Sequence, residues 1–69
     1  MTGKEAQPLA ERRLYRVTDA AEILSMGRST LYELIRSQRL RSVKEGRIRL
    51  IPASAIDEYV ALLEREAAQ

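Results

Sequence analysis

Cysteine and histidine are both absent from this 69-residue chain. Without cysteine there are no disulfides and no thiolate metal sites. Without histidine, the commonest metal ligand and the commonest general base near neutral pH are missing together. Carboxylate or lysine chemistry is left, but a chain of this length forms one domain at most and no large cleft. Neither an enzyme nor a bound metal or other cofactor is therefore expected. No apolar run approaches the ~20 residues that cross a bilayer. The opening stretch MTGKEAQPLAERR lacks the apolar middle of a secretion signal. The expectation is a protein that stays in the cytoplasm, away from membranes, with a core that is marginal in size without cross-links or a partner.

What the chain does have is unevenly placed charge. The net charge is +2. Residues 1–27 carry four basic and four acidic groups and balance. Residues 28–49 carry seven basic groups (Arg28, Arg36, Arg39, Arg41, Lys44, Arg47, Arg49) against Glu33 and Glu45, a block of +5. Residues 50–69 carry Arg65 against Asp57, Glu58, Glu64 and Glu66, a block of −3. A compact basic block suits a polyanion partner, and it suits a solvated mixed-charge face equally well.

Hydrophobic periodicity organises the rest. Residues 1–13 are polar, contain Pro8 and have no period, so they are expected to form a flexible arm ahead of a domain at 14–66, with 67–69 as a short tail. Leu14 to Val17 would be a brief extended lead-in. Thr18 is a candidate N-cap, with Asp19 in the first turn and Ala20, Ile23 and Leu24 on one buried face, giving a first helix over about 19–25. Ser25-Met26-Gly27 interrupts the pattern. Gly27 tolerates dihedrals other residues avoid and is acceptable as a cap, and Met26 would plug the turn. A second helix over about 28–37 buries Leu31, Leu34 and Ile35, and its opposite face carries Ser29, Glu33 and Arg36, flanked by Thr30 and Tyr32.

The period then changes. In LRSVKEGRIRLI, Arg47 and Arg49 alternate with Ile48 and Leu50, which predicts a strand with arginines outward and aliphatics inward. Glu45-Gly46 would be the two-residue turn of a β-hairpin. Pro52 stops the strand at the start of a third helix, in which Ile56, Tyr59, Val60 and Leu63 recur at helical spacing and the acidic groups face out. Together these elements predict a mainly α fold with a small β-hairpin. The break after the first helix lets the second project from the domain, a helix-turn-helix whose second helix fits the major groove of B-DNA. The basic hairpin would be a wing along the phosphates or in the minor groove.

The stretches AAEIL, RSTLYELIR and RLIPASAI, within residues 14–60, resemble the excisionase-type winged helix-turn-helix domain, a compact relative of the MerR DNA-binding domain. The likeness is greatest to versions in actinobacterial phages and integrative elements. The resemblance implies a recognition helix using Arg28, Ser29, Thr30, Tyr32, Glu33 and Arg36, and a wing using Lys44, Arg47 and Arg49. Two positions depart from the family pattern. Ser25-Met26-Gly27 stands where Gly-Val-Ser is frequent, and Gln38 stands where a glycine often ends the recognition helix.

Each of these side chains has a bland reading beside the functional one. Arg36 can reach a guanine edge or a phosphate, or can simply be solvated. Ser29 and Thr30 can meet a phosphate at the helix N-terminus or act as local caps. Tyr32 can donate to a phosphate or pack on the wing. Glu33 can accept from a cytosine or orient a neighbouring arginine. Arg47 and Arg49 suit phosphate or minor-groove contacts, or a plain solvated edge. Tyr59, Leu63 and Met26 are expected in the core.

The resemblance further implies an excisionase, or recombination directionality factor. Such a protein binds repeated sites in an attachment region, bends the DNA and helps a tyrosine-type integrase excise an element from its bacterial host. A basic wing and an acidic third helix would suit head-to-tail contact between copies on direct repeats. A small MerR-like transcriptional regulator is the alternative. A protein-interaction module without DNA binding is a second, but it would need an apolar outer face on the second helix.

Overall fold

The computed structural model describes residues 12–68. In chain order the elements are β1 (Leu14–Arg16), α1 (Val17–Ile23), α2 (Arg28–Arg36), β2 (Val43–Glu45), β3 (Ile48–Pro52) and α3 (Ala53–Ala67). Three helices and a small antiparallel sheet make the winged helix-turn-helix expected from the sequence. Residues 1–11 of the expected arm and Gln69 lie outside the described residues. Arg12 and Arg13 are tied to the domain: Arg12 pairs with Asp19, and the Arg13 carbonyl accepts from the Ala53 N–H at 2.8 Å.

Helix α1 starts two residues earlier than its polar cap signal suggested. Arg16 is the N-cap, in extended geometry and without a side-chain cap, and Thr18 lies inside the first turn. The buried stripe is accordingly Val17, Ala20 and Ala21, with Leu24 partly buried, while Ile23 stands exposed. The helix ends in a Schellman turn: Met26 N–H donates to the Ala21 carbonyl at 2.8 Å and Ser25 N–H to that of Glu22 at 3.1 Å. The left-handed residue this turn requires is Ser25, at φ 58°, and not Gly27, which caps α2 at φ −74°. Met26 packs partly buried against the core. A second Schellman turn ends α2, with Arg39 N–H donating to Leu34 at 3.0 Å and Gln38 N–H to Ile35 at 3.1 Å. Gln38, at φ 66°, holds the conformation a glycine would adopt without steric cost.

The two-stranded wing expected from the sequence is part of a three-stranded antiparallel sheet in the order β1-β3-β2. Glu45 pairs with Ile48, so the tight turn is Gly46-Arg47 and not Glu45-Gly46. Gly46, at φ 61°, supplies the positive dihedral at the first central position, as a II′ hairpin turn demands. That shift of one residue inverts the expected faces of β3. Ile51 and its β1 partner Tyr15 are buried beneath the helices, and Arg49 shares their side of the strand. Ile48 is 47% exposed, and Leu50 is half-buried on the opposite side. The alternation misled because aliphatic residues occupy both registers of IRLI.

The core joins Tyr15, Val17, Ala20, Ala21, Leu31, Leu40, Ile51, Ala55, Ile56 and Tyr59. Helix α1 packs on α2 and on the sheet, whereas α3 packs chiefly on β3. On α3 the buried positions are Ala55, Ile56 and Tyr59, with Leu62 and Leu63 partly buried, and Val60 is exposed. Among the described residues no helix is long and apolar enough to cross a membrane.

Candidate nucleic-acid interface

Helix α2 is held by one fully buried side chain, Leu31, and by the half-buried Leu34 and Ile35. Its remaining positions are exposed. Ser29, Glu33 and Arg36 form one outer stripe, three and four residues apart. Arg36 Nη1 donates to Glu33 Oε2 at 2.8 Å, with both side chains about 70% exposed (70% and 69%). Glu33 thus pairs with the guanidinium of Arg36 on the outer face of α2. Ser29 and Thr30 occupy the first turn, where no side chain caps the helix and no acidic residue offsets the dipole. Thr30 falls on the flank of α2 away from the hairpin, so it stands apart from the remaining candidates.

On the other flank, Arg28 and Tyr32 face the hairpin across an open concavity of about 450 Å3. Arg16, Thr18, Lys44, Arg47, Ile48 and Arg49 complete its lining. Arg49 reaches this position because its register turns it to the helix side, where Nη1 donates to Ser42 Oγ at 2.9 Å. It also borders a smaller hollow with Tyr32, Ile35 and Arg36, so it bridges the concavity and the outer stripe of α2. The expectation of an outward Arg49 is corrected accordingly.

The cations of the domain fall into two groups. Arg12, Arg36, Arg39 and Arg41 are ion-paired with Asp19, Glu33, Glu66 and Glu58 at 3.3, 2.8, 2.9 and 2.9 Å. Arg41 also donates to Ser54, and Arg39 lies over the Tyr59 ring at 5.9 Å. The hydrogen bonds from Arg41 and Arg39 hold the Glu58 and Glu66 carboxyls below their ordinary value of 4.5 and raise both guanidinium values. The other described cations form no ion pair with a described carboxylate, and five of them, Arg16, Arg28, Lys44, Arg47 and Arg49, line the concavity. Among the described residues no carboxylate lines it. The unneutralised positive charge is thus concentrated between α2 and the wing.

This sorting revises the charge map drawn along the chain. Arg39 and Arg41 belong to the +5 block by sequence, yet α3 neutralises them. Arg16 belongs to the balanced block by sequence, yet at the junction of β1 with α1 it lines the basic concavity. Arg16 was not singled out from the sequence, and Thr18 was read there only as a candidate cap. The alternation of Leu14-Tyr15-Arg16 about a buried tyrosine marks Arg16 as exposed but gives no sign of the concavity. Among the described residues no group of acidic side chains is arranged to hold a metal ion.

The chain matches the helix-turn-helix domain family over residues 14–61. It is 45% identical over 58 residues to a protein of Saccharopolyspora erythraea named "Probable excisionase", an alignment covering 84% of this chain. The chain spans 59% of the length of that curated relative. No solved structure matches it significantly.

Proposed function

Because the chain belongs to the helix-turn-helix domain family, we propose that it binds duplex DNA as an excisionase, bending an attachment region and promoting integrase-mediated excision. The observation that carries the DNA-binding part is the sorting of cations. A projecting helix with a polar outer stripe stands beside a concavity lined by five cations that form no ion pair with a described carboxylate and, among the described residues, by no carboxylate. Such a face matches a phosphate backbone on either side of a groove read by α2. Ser29 and Arg36 meet base edges or the adjacent phosphates, Glu33 accepts from a cytosine or orients Arg36, and Arg28, Tyr32, Lys44, Arg47 and Arg49 meet the backbone. No catalytic residue is assigned, and the protein acts on DNA in the bacterial cytoplasm. The name of the Saccharopolyspora relative supports the recombination role.

Cooperative binding to direct repeats is the second part of the proposal. Two unlike surfaces remain uncovered within the domain. One is the outer side of the sheet, with Leu14 and Val43 47% and 42% exposed. The other is the outer side of α3, with Asp57, Val60 and Glu64 exposed. Unlike surfaces favour a heterologous, head-to-tail contact over a two-fold dimer.

The test is recombination between paired attachment sites by a tyrosine-type integrase, with and without the protein. Excised circles that form only when the protein is added support the proposal. Unchanged excision, with promoter binding instead, assigns the chain to the small MerR-like regulators.

A further inference from the structure

Among the described residues, Arg16 is the one cation lining the concavity that comes from neither the recognition helix nor the wing. It ends β1 and caps α1, and its side chain makes no capping hydrogen bond and no ion pair with a described residue. Its backbone is fixed by antiparallel pairing with Leu50, one strand away from the Lys44 and Arg49 pair. The residue is therefore anchored through its backbone, and it lines the same hollow as Arg28 and Lys44. An arginine so placed presents a planar fork of donors suited to two oxygens of one phosphate group. Among the described residues no carboxylate lines the hollow to compete for it.

We infer that Arg16 completes a discrete phosphodiester site, shared with Arg28 and Lys44, that grips the DNA strand passing between α2 and the wing. The inference rests on the proposed DNA binding and adds to it a contact from the first strand. Its ligand is a backbone phosphate, so it carries no base preference and serves to fix how the domain sits on the duplex.

Arg13 provides the internal control. It lies three residues away, is exposed and forms no ion pair with a described residue, but it does not line the hollow. Arg16→Gln and Arg13→Gln each remove one charge from the same end of the domain. Binding is measured by fluorescence anisotropy on a site-bearing duplex and on a random duplex across a salt series. Arg16→Gln should weaken both duplexes by a similar factor, on the order of three- to tenfold, and flatten the log–log salt slope by about 1. Arg13→Gln should leave the slope close to that of the parent, and Arg16→Lys should recover most of the slope, since ammonium keeps the charge. Melting curves of all three variants check that the fold is kept. Equal effects of Arg13→Gln and Arg16→Gln would mean a diffuse loss of charge and overturn the discrete site. An unaltered slope for Arg16→Gln, with parent-like binding, would overturn it as well. A parent protein that binds neither duplex would instead overturn the DNA-binding proposal itself.

Discussion

Ser25 and Gln38 both hold left-handed backbone geometry that glycine adopts freely, and each does so at the C′ position of a Schellman turn. A side chain there costs roughly 1 kcal/mol of strain. Gln38→Gly should remove that strain, partly offset by the greater freedom of glycine in the unfolded chain. The expected gain is about 0.5–1 kcal/mol, or a melting temperature raised by roughly 2–8 °C, measured by thermal denaturation. A lower melting temperature would contradict the reading of Gln38 as strained. The departure at Gln38 was legible in the sequence as a missing glycine. Its counterpart at Ser25 was not, because Gly27 two residues on looked like the obvious carrier of a positive φ. Arg36 and Arg47 divide the labour of binding at the same scale. Arg36→Ala should cost about 1–3 kcal/mol on the specific site and relax base preference. Arg47→Ala, at the hairpin turn, should weaken specific and random duplexes by similar factors. Competition titrations with both duplexes decide it, and matching losses for the two variants would remove the distinction between reader and anchor.

At the scale of elements, helix α3 acts as a neutralising strap on the segment that links α2 to the wing. Arg39 and Arg41 bind Glu66 and Glu58 across 27 and 17 residues of sequence. Both carboxyls have folded values below 4.5, so their contribution to stability is complete above that value. It is lost as the pH falls through the lowered folded values. Between about pH 6 and about pH 3 the melting temperature should therefore drop, and Glu58→Gln/Glu66→Gln should show a smaller drop than the parent. An identical drop in the two proteins would mean that these pairs do not stabilise the fold. The existence and order of the helices and the hairpin were legible because apolar residues recur at i, i+3 and i+4 on each helix. The hairpin register was not, since Ile48, Leu50 and Ile51 place aliphatic side chains on both faces of one strand. Only pairing with β1, through the buried Tyr15 and Ile51, decides which face is inside. The straps were equally hidden, because charge counted in consecutive blocks cannot see a carboxylate arriving from another helix.

For the molecule as a whole, the two unlike exposed surfaces bear on assembly. If copies meet head to tail on direct repeats, Leu14→Gln on the sheet should reduce cooperativity while sparing single-site affinity. Asp57→Asn/Glu64→Gln on α3 should do the same. Band shifts on one, two and three repeats measure this, and independent filling of the repeats by the parent protein would remove the head-to-tail contact from the proposal. Without DNA the contact should be weak, because exposed charges are screened at physiological salt and duplex DNA raises the effective concentration. A stable dimer in sedimentation without DNA would contradict that. Cations left unneutralised at one face are the feature on which DNA binding stands, and counterion release measures them most directly. About four to six phosphate contacts should give a log–log slope of affinity against salt near −4 to −5 for the parent protein on duplex DNA. A flat response across the same salt series would contradict the assignment of this face to DNA.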